Sequence, residues 1–282
     1  MTARFEEFVR RKEREAVEAG LPRYQTTFDA RPADALTVGN DWTRQLFDGG
    51  FYVSRPPDAA RPACSLVFVQ SADGNTGAPD PSTLGGGETD KHLIYEGLTR
   101  VAADAVMGGA GTAGGGRMIF SVWHPELVRL RAALGKPRHP VQIVATMKGI
   151  DVEHEMLFNV PEIPIVLVTV RSCRMLMGQE LASRPWIKTI VMDNRDEMPD
   201  AFAQLRSMGL ETISCIGGRT LAAGLIDAGL VQDVYLTTSP LSGGQPGTPI
   251  YPKPLDAELV VRKTGTGAEA GVVFEHLRVR SG

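Results

Sequence analysis

The sequence predicts an α/β fold of three layers: a mostly parallel, mixed sheet flanked by helices, with an antiparallel hairpin at the C-terminal end. Three observations predict it. From residue 63 onward short apolar runs alternate with helical patterns, which calls for parallel strands covered on both faces. The last two runs, DAELVVRK and GVVFEHLRVR, are joined by TGTGAEA, too short for a crossover helix, so they pair antiparallel at one edge. Helix ends are signalled by Pro125 near one start and by Gly209 and Gly229 just past two others.

Residues 1–62 read as an N-terminal extension or arm. A charged, helix-prone start is followed by a Pro- and Gly-punctuated stretch ending in SRPPDAARP, with few runs that could form a core strand. Within it Trp42, Leu46, Phe47, Phe51 and Tyr52 are apolar enough to pack on a neighbouring surface. Residues 63–282 form the predicted domain. Its strands are CSLVFVQ, DAVMGG, PVQIVAT, IPIVLVTV, WIKTIVMD, ETISCI and VQDVYLTT, followed by the final pair. Its helices are ETDKHLIYEGLTRVA, HPELVRLRAAL, MPDAFAQLRSM and GRTLAAGLIDA.

Composition removes several functions. A net charge of -3, from 30 basic and 33 acidic residues, offers no field for nucleic acid. Cys64, Cys173 and Cys215 lie far apart, as reduced core thiols do, and no two of the five histidines have metal-ligand spacing, so no metal is expected. The start has no apolar leader and the longest apolar runs fall short of a membrane span; a soluble, cytoplasmic protein is expected. The chain lacks a P-loop, a G-x-S-x-G elbow, H-E-x-x-H and the zinc-deaminase pattern.

Three loops at strand ends could carry chemistry. In DAVMGGAGTAGGGR, Gly109, Gly111 and Gly114 match G-x-G-x-x-G, but no helix follows at once and no carboxylate closes a second strand for a ribose, as a Rossmann site requires. The loop still offers the Thr112 hydroxyl and the Arg117 charge at a strand end. VQSADGNTG leaves a strand through a turn built from Ser71, Asp73, Gly74 and Asn75. SCIGGRTLAAGLIDA places Gly217 and Gly218 between a strand and a helix. There the N–H groups of Gly218, Arg219, Thr220 and Leu221 favour an anion, although a tight turn explains the glycines equally well.

SADG, ADAVMGGAGT, IGGRTLAAGLIDAGLVQD and PLSGGQPGTPIY, in this order and spacing over roughly residues 62–280, resemble the motifs of the reductase domain of riboflavin biosynthesis. The resemblance implies a dihydrofolate-reductase-like fold, a homodimer, and NADPH-dependent reduction of the ribosyl group of a phosphorylated aminopyrimidine. It implies cofactor contacts at Gln70, Leu84, Thr112, Gly116 and from Gly217 and Gly218 through Arg219, Thr220 and Leu221 to Gly224. Its substrate contacts fall on Ser82 and Arg100. Asp73 is the candidate polar group beside the reacting carbon. Thr169 and Arg171, with Ser172 and Lys148 near, suit a 2′-phosphate because no carboxylate stands beside them in the sequence. The chain departs from the family at Ile216, where an acidic residue faces the substrate, at the loop AGGGRMIFSVW, and at Thr146 in place of an Asp. Those departures leave open a same-fold reductase of another carbonyl, imine or pterin, or a non-catalytic nucleotide-binding module.

Overall fold

The computed structural model describes residues 3–114 and 119–280. Numbered in chain order, its strands are β1 (Tyr24–Asp29), β2 (Leu36–Val38), β3 (Phe51–Val53), β4 (Ala63–Gln70), β5 (Ala105–Gly109) and β6 (Val141–Thr146). They continue as β7 (Ile165–Val170), β8 (Ile187–Met192), β9 (Thr212–Cys215), β10 (Asp233–Thr238), β11 (Ala257–Gly265) and β12 (Val273–Val279). One sheet has the order β1-β11-β12-β10-β4-β9-β5-β6-β7-β8, and β2 pairs with β3 apart from it. From β10 to β8 every pairing is parallel. β1, β11 and β12 run antiparallel, with β11 and β12 as the anticipated hairpin.

The central runs are apolar on both sides because each side is covered. On one face Val106, Val144 and Leu167 meet Leu93, Ile94 and Leu98, together with Phe5 and Phe8 of the helix Ala3–Glu18. On the other, Met107, Ile143 and Val166 meet Phe202 and Leu205 of the helix Met198–Ser207, and Ala222 and Leu225 of the helix Arg219–Asp227. Pro125 opens the helix Pro125–Ala133. Gly209 and Gly229 close two others at φ 88° and 64°.

Three features were not legible in the runs. YQTTFD, too polar to read as a core strand, becomes β1, where only one residue, Tyr24, is buried. The connection from β7 to β8 carries the helices Arg171–Leu176 and Gly178–Ala182. β5 is followed by a single helical turn, Ala110–Ala113. In the N-terminal stretch Phe47, Phe51 and Tyr52 are buried, while Trp42 stacks on His124 with ring centroids 4.2 Å apart.

Beneath the helix Ala3–Glu18, His139 packs against Phe5 and Trp123, and its Nδ1 lies 2.8 Å from Ser121 Oγ. Burial, then the charges of Arg138 and Arg131, hold its pKa down at about 4. The unfolded chain takes up this proton first, so the contribution is full above pH 6.5 and is lost as pH falls toward 4. Chemical denaturation should show a loss of about 2 kcal/mol over that interval, solvent screening included, that His139→Gln abolishes. An equal loss in both proteins would assign the acid sensitivity elsewhere.

Candidate functional site

Parallel strands end on one side of the sheet, and there β4 and β9 part company. Their pairing runs from Ala63↔Thr212 to Leu66↔Cys215 and stops. β4 continues to Gln70 paired only with β10, whereas Ile216 turns to β5, its N–H donating to the Met107 carbonyl at 2.9 Å. The ladder is thus interrupted between Val67–Gln70 and Ile216–Gly218, a slot in the sheet's hydrogen bonding beside the Phe68 ring. Such a divergence at strand C-termini is where open α/β sheets take ligands.

Glycines from two strand ends form one wall. Gly109 N–H donates to the Gly217 carbonyl at 2.9 Å, joining the turn after β5 to the turn after β9. The Gly217–Gly218 peptide is cis. Gly217 has φ +112°, which a side chain would strain, and a Cβ there would lie 3.5 Å from the Phe68 ring. Gly218 differs, because its φ of -66° suits any residue and its Cβ would meet only Thr112 Oγ1, at 3.7 Å. A tight turn accounts for Gly217 alone. The missing side chain of Gly218 keeps clear the start of the helix Arg219–Asp227, where no side-chain cap hydrogen bond is made. The first intrahelical bond there is Ala222 N–H to the Gly218 carbonyl, so the N–H groups of Arg219, Thr220 and Leu221 have no partner within the helix. Free donors, the helix dipole and the Thr112 hydroxyl fit a dinucleotide pyrophosphate.

The opposite side is built by two interlocked loops. Asp73 accepts from Ser242 Oγ at 3.2 Å and from Gly243 N–H at 3.0 Å; Asn75 Nδ2 donates to the Gly243 carbonyl at 3.1 Å. Thr76 N–H and Oγ1 both donate to the Thr248 carbonyl. Asp73 thus fastens SADG to PLSGG. Gln70 Nε2 donates to Thr238 Oγ1 at 3.0 Å, tying the last residues of β4 and β10. Leu84 is buried, and a Cβ on Gly244 would sit 3.0 Å from it. Ser82 is exposed, its Oγ donating to Asp80 at 2.7 Å within the turn Pro81–Leu84.

Three other positions differ from what their place in the sequence suggests. Arg100 is 1 % exposed: its guanidinium lies 4.5 Å over the Tyr95 ring and Nη1 donates to the Ser121 carbonyl at 3.0 Å. Its setting is the core, neither a solvated helix face nor an open phosphate site. Thr169 is fully buried on β7, away from solvent. Arg171 begins a helix and pairs with Asp193 at 2.8 Å, so a carboxylate does stand beside it, brought there by the end of β8. Gly116 lies outside the described residues.

A cavity of about 400 Å³ follows the ends of β6 and β7, lined by Lys148, Asp151, Glu153, His154, Met177 and Glu180. Its three carboxylates disfavour phosphates, and the glycine slot is the better anion site. Burial raises the Cys215 thiol to about 12, which leaves it protonated and unreactive. Among the described residues no cluster of His, Cys, Asp and Glu could hold a metal ion, and no helix is long and apolar enough to cross a membrane.

Asp90 was not among the sequence candidates. It lies on the helical segment after the run Gly85-Gly86-Gly87, accepts from Thr237 Oγ1 at 2.5 Å and is 8 % exposed. The signal was the glycine run itself. A Cβ on Gly86 would lie 2.7 Å from Asp90 Oδ2, and one on Gly87 would lie 2.5 Å from the Glu269 carboxyl.

The sequence profile of the RibD C-terminal domain family matches residues 62–269. No curated protein matches the chain. Among solved structures, a pyrimidine reductase-like protein from Corynebacterium diphtheriae is similar at TM-score 0.63 and 20% identity, over 78% of this chain and 92% of that one. The deaminase/5-amino-6-(5-phosphoribosylamino)uracil reductase of Thermotoga maritima is similar at TM-score 0.53 and 17% identity, over 78% of this chain and 57% of that one. Acinetobacter baumannii RibD gives TM-score 0.58 and 14% identity, over 78% and 58%. At these identities the likeness establishes the fold. The profile spans well over half of the sequence: the chain belongs to the RibD C-terminal domain family and is an oxidoreductase that works with a nucleotide cofactor.

Proposed function

We propose that the chain is an NADPH-dependent reductase of a small heterocyclic substrate, with the phosphoribosylaminopyrimidine of riboflavin biosynthesis as the first compound to test. The observation that carries it is the bare Gly218 at an uncapped helix start, with the Thr112 hydroxyl beside it on the same wall of the slot. When bound, the cofactor supplies a hydride; the protein's part is to fix its pyrophosphate, orient its ring and exclude water. Gly218 through Leu221 and Thr112 hold the pyrophosphate, and Gln70 and Leu84 shape the loops against which the ring lies. Asp73 acts through loop position. The cytoplasm is the proposed compartment, and a homodimer the proposed assembly, which light scattering tests.

Arg171 supports the choice of NADPH. Both members of its ion pair with Asp193 are mostly exposed, and such a pair is worth roughly 0–1 kcal/mol, so a 2′-phosphate displaces the carboxylate cheaply. NADPH should raise the melting temperature several degrees more than NADH at equal concentration, in line with a tenfold or larger affinity gap. Equal shifts would remove the 2′-phosphate argument.

A second reading concerns the substrate alone. Ile216 is apolar and buried, and the Arg100 guanidinium is buried with Nη1 on the Ser121 carbonyl, which favours a substrate that asks for fewer polar contacts at these two positions. A same-fold reductase of another imine or carbonyl answers to both. NADPH absorbance with the phosphoribosylaminopyrimidine and dihydrofolate as parallel substrates separates the two.

A further inference from the structure

We propose that Asp90 is the proton donor of the reduction, taking from the helix side the place that Ile216 leaves apolar. The inference rests on the NADPH reductase reading above and assigns the acid within it.

The position follows from the strand ends. Thr237, which donates to Asp90, is the register partner of Val69, one residue short of the terminal pair Gln70↔Thr238. Val69 belongs to the stretch of β4 that has lost its β9 neighbour, the wall of the slot. Gly86 makes room for this contact, since its Cβ would lie 2.9 Å from Val69 and 2.7 Å from Asp90 Oδ2. Asp90 belongs to the same helical segment as Leu93 and Ile94, which cover the face of the sheet where Ile216 is buried. Carboxylate and slot are therefore on one side.

The surroundings keep the group protonated. Burial raises Asp90 to about 7 against the Thr237 hydrogen bond, the next effect in size, and the charge of Glu269 adds a lesser rise. The groups facing it are Thr237 from β10, Glu269 from the turn Gly267–Glu269, Tyr24 from β1 and Tyr95 from its own helix. None of these is a cation. Glu269 is itself raised by burial and takes the Thr89 N–H at 2.9 Å. Burial among groups that carry no positive charge disfavours the ionised carboxyl, and Glu269 adds to this, which leaves a proton available at neutral pH.

Asp90 gives its carboxyl proton to the imine nitrogen or carbonyl oxygen. That atom takes up the π pair displaced as hydride forms the new C–H bond at the adjacent carbon. The C=N or C=O becomes an amine or alcohol, the reduced nicotinamide is the two-electron reductant, and the Asp90 carboxylate recovers a proton from water.

The test follows the carboxyl signals of the full chain labelled with ¹³C-aspartate against pH. One aspartate should titrate near pH 7 and be missing in Asp90→Asn. In Thr237→Val, which loses the hydroxyl that stabilises the charged form, its midpoint should rise. With NADP⁺ bound in place of NADPH the midpoint should fall by about one pH unit, because the oxidised ring brings a positive charge beside the carboxyl. With the phosphoribosylaminopyrimidine as probe, kcat should fall about 100-fold in Asp90→Asn at unchanged NADPH affinity. Identical midpoints in the two nucleotide complexes, or equal kcat, overturn the assignment. If neither nucleotide alters thermal unfolding, the reductase reading fails and takes the assignment with it.

Discussion

Gly218→Asp should abolish NADPH binding, at least 100-fold in Kd, while leaving the melting temperature of the free protein within a few degrees. The two halves of this expectation come from separate facts. Gly218 has φ -66° and an ideal Cβ there has only the Thr112 hydroxyl near, at 3.7 Å, so the backbone accepts a side chain without strain. Aspartate is also a favoured residue at a helix start. Its carboxylate then takes the Arg219–Leu221 N–H groups that the pyrophosphate needs, and it repels the phosphates. A 100-fold loss is about 2.7 kcal/mol, less than the removal of several charge-assisted hydrogen bonds. Gly218→Ala sets the scale for bulk alone. Titration by intrinsic fluorescence gives both affinities, and retained NADPH affinity in Gly218→Asp would show that the turn does not hold phosphate.

The second large effect belongs to stability. Arg131→Ala should cost about 3–5 kcal/mol, a fall of roughly 10 °C in melting temperature, and Arg131→Lys should recover less than half of it. Arg131 is 1 % exposed, and its Nη1 donates to the carbonyls of Arg100, Val101 and Ala103, with Nε on that of Pro137 at 2.6 Å. Three of those acceptors lie where the helical segment ending at Val101 stops, and of these the Arg100 carbonyl also takes the Ala103 N–H at 3.2 Å. A single cation from a neighbouring helix satisfies them and opposes the negative end of the helix dipole. Lysine reaches one acceptor well and lacks the planar fork. Alanine removes the side-chain donor from all four carbonyls at once. Burial lowers Arg131 to about 10, so it remains charged at neutral pH. Denaturant midpoints of the three proteins check the series; a loss below 1 kcal/mol would mean that water replaces the guanidinium.

The parallel core was legible because buried strands announce themselves: IPIVLVTV and PVQIVAT have no other explanation than cover on both faces. The glycine turn was legible as a pair, but not in its division of labour. Backbone dihedrals separate Gly217, required by conformation, from Gly218, required by space. Polar residues misled where three-dimensional partners decide their role. Arg100 and Arg131 look like surface positions on amphipathic helices, yet both end inside, because helix-end carbonyls and aromatic faces supply the partners that water would. Asp193 lies 22 residues from Arg171, and only the parallel pairing of β7 with β8 brings the two together. Asp90 was hidden for the same reason. Its partner Thr237 is 147 residues away, and the glycine run that makes room for it reads as a loop.

The strand β1 has a further consequence. The family profile begins at residue 62, so the stretch before it resembles a removable leader. Yet β1 caps β11 along five registered pairs, and Phe5, Phe8, Phe47 and Phe51 fill core positions. A chain that started at residue 62 would present a row of open amides and carbonyls on β11 beside an uncovered apolar face. That is the template on which chains polymerise. The polar strand that sequence reading passes over thus works as a stopper, ending the sheet within one molecule.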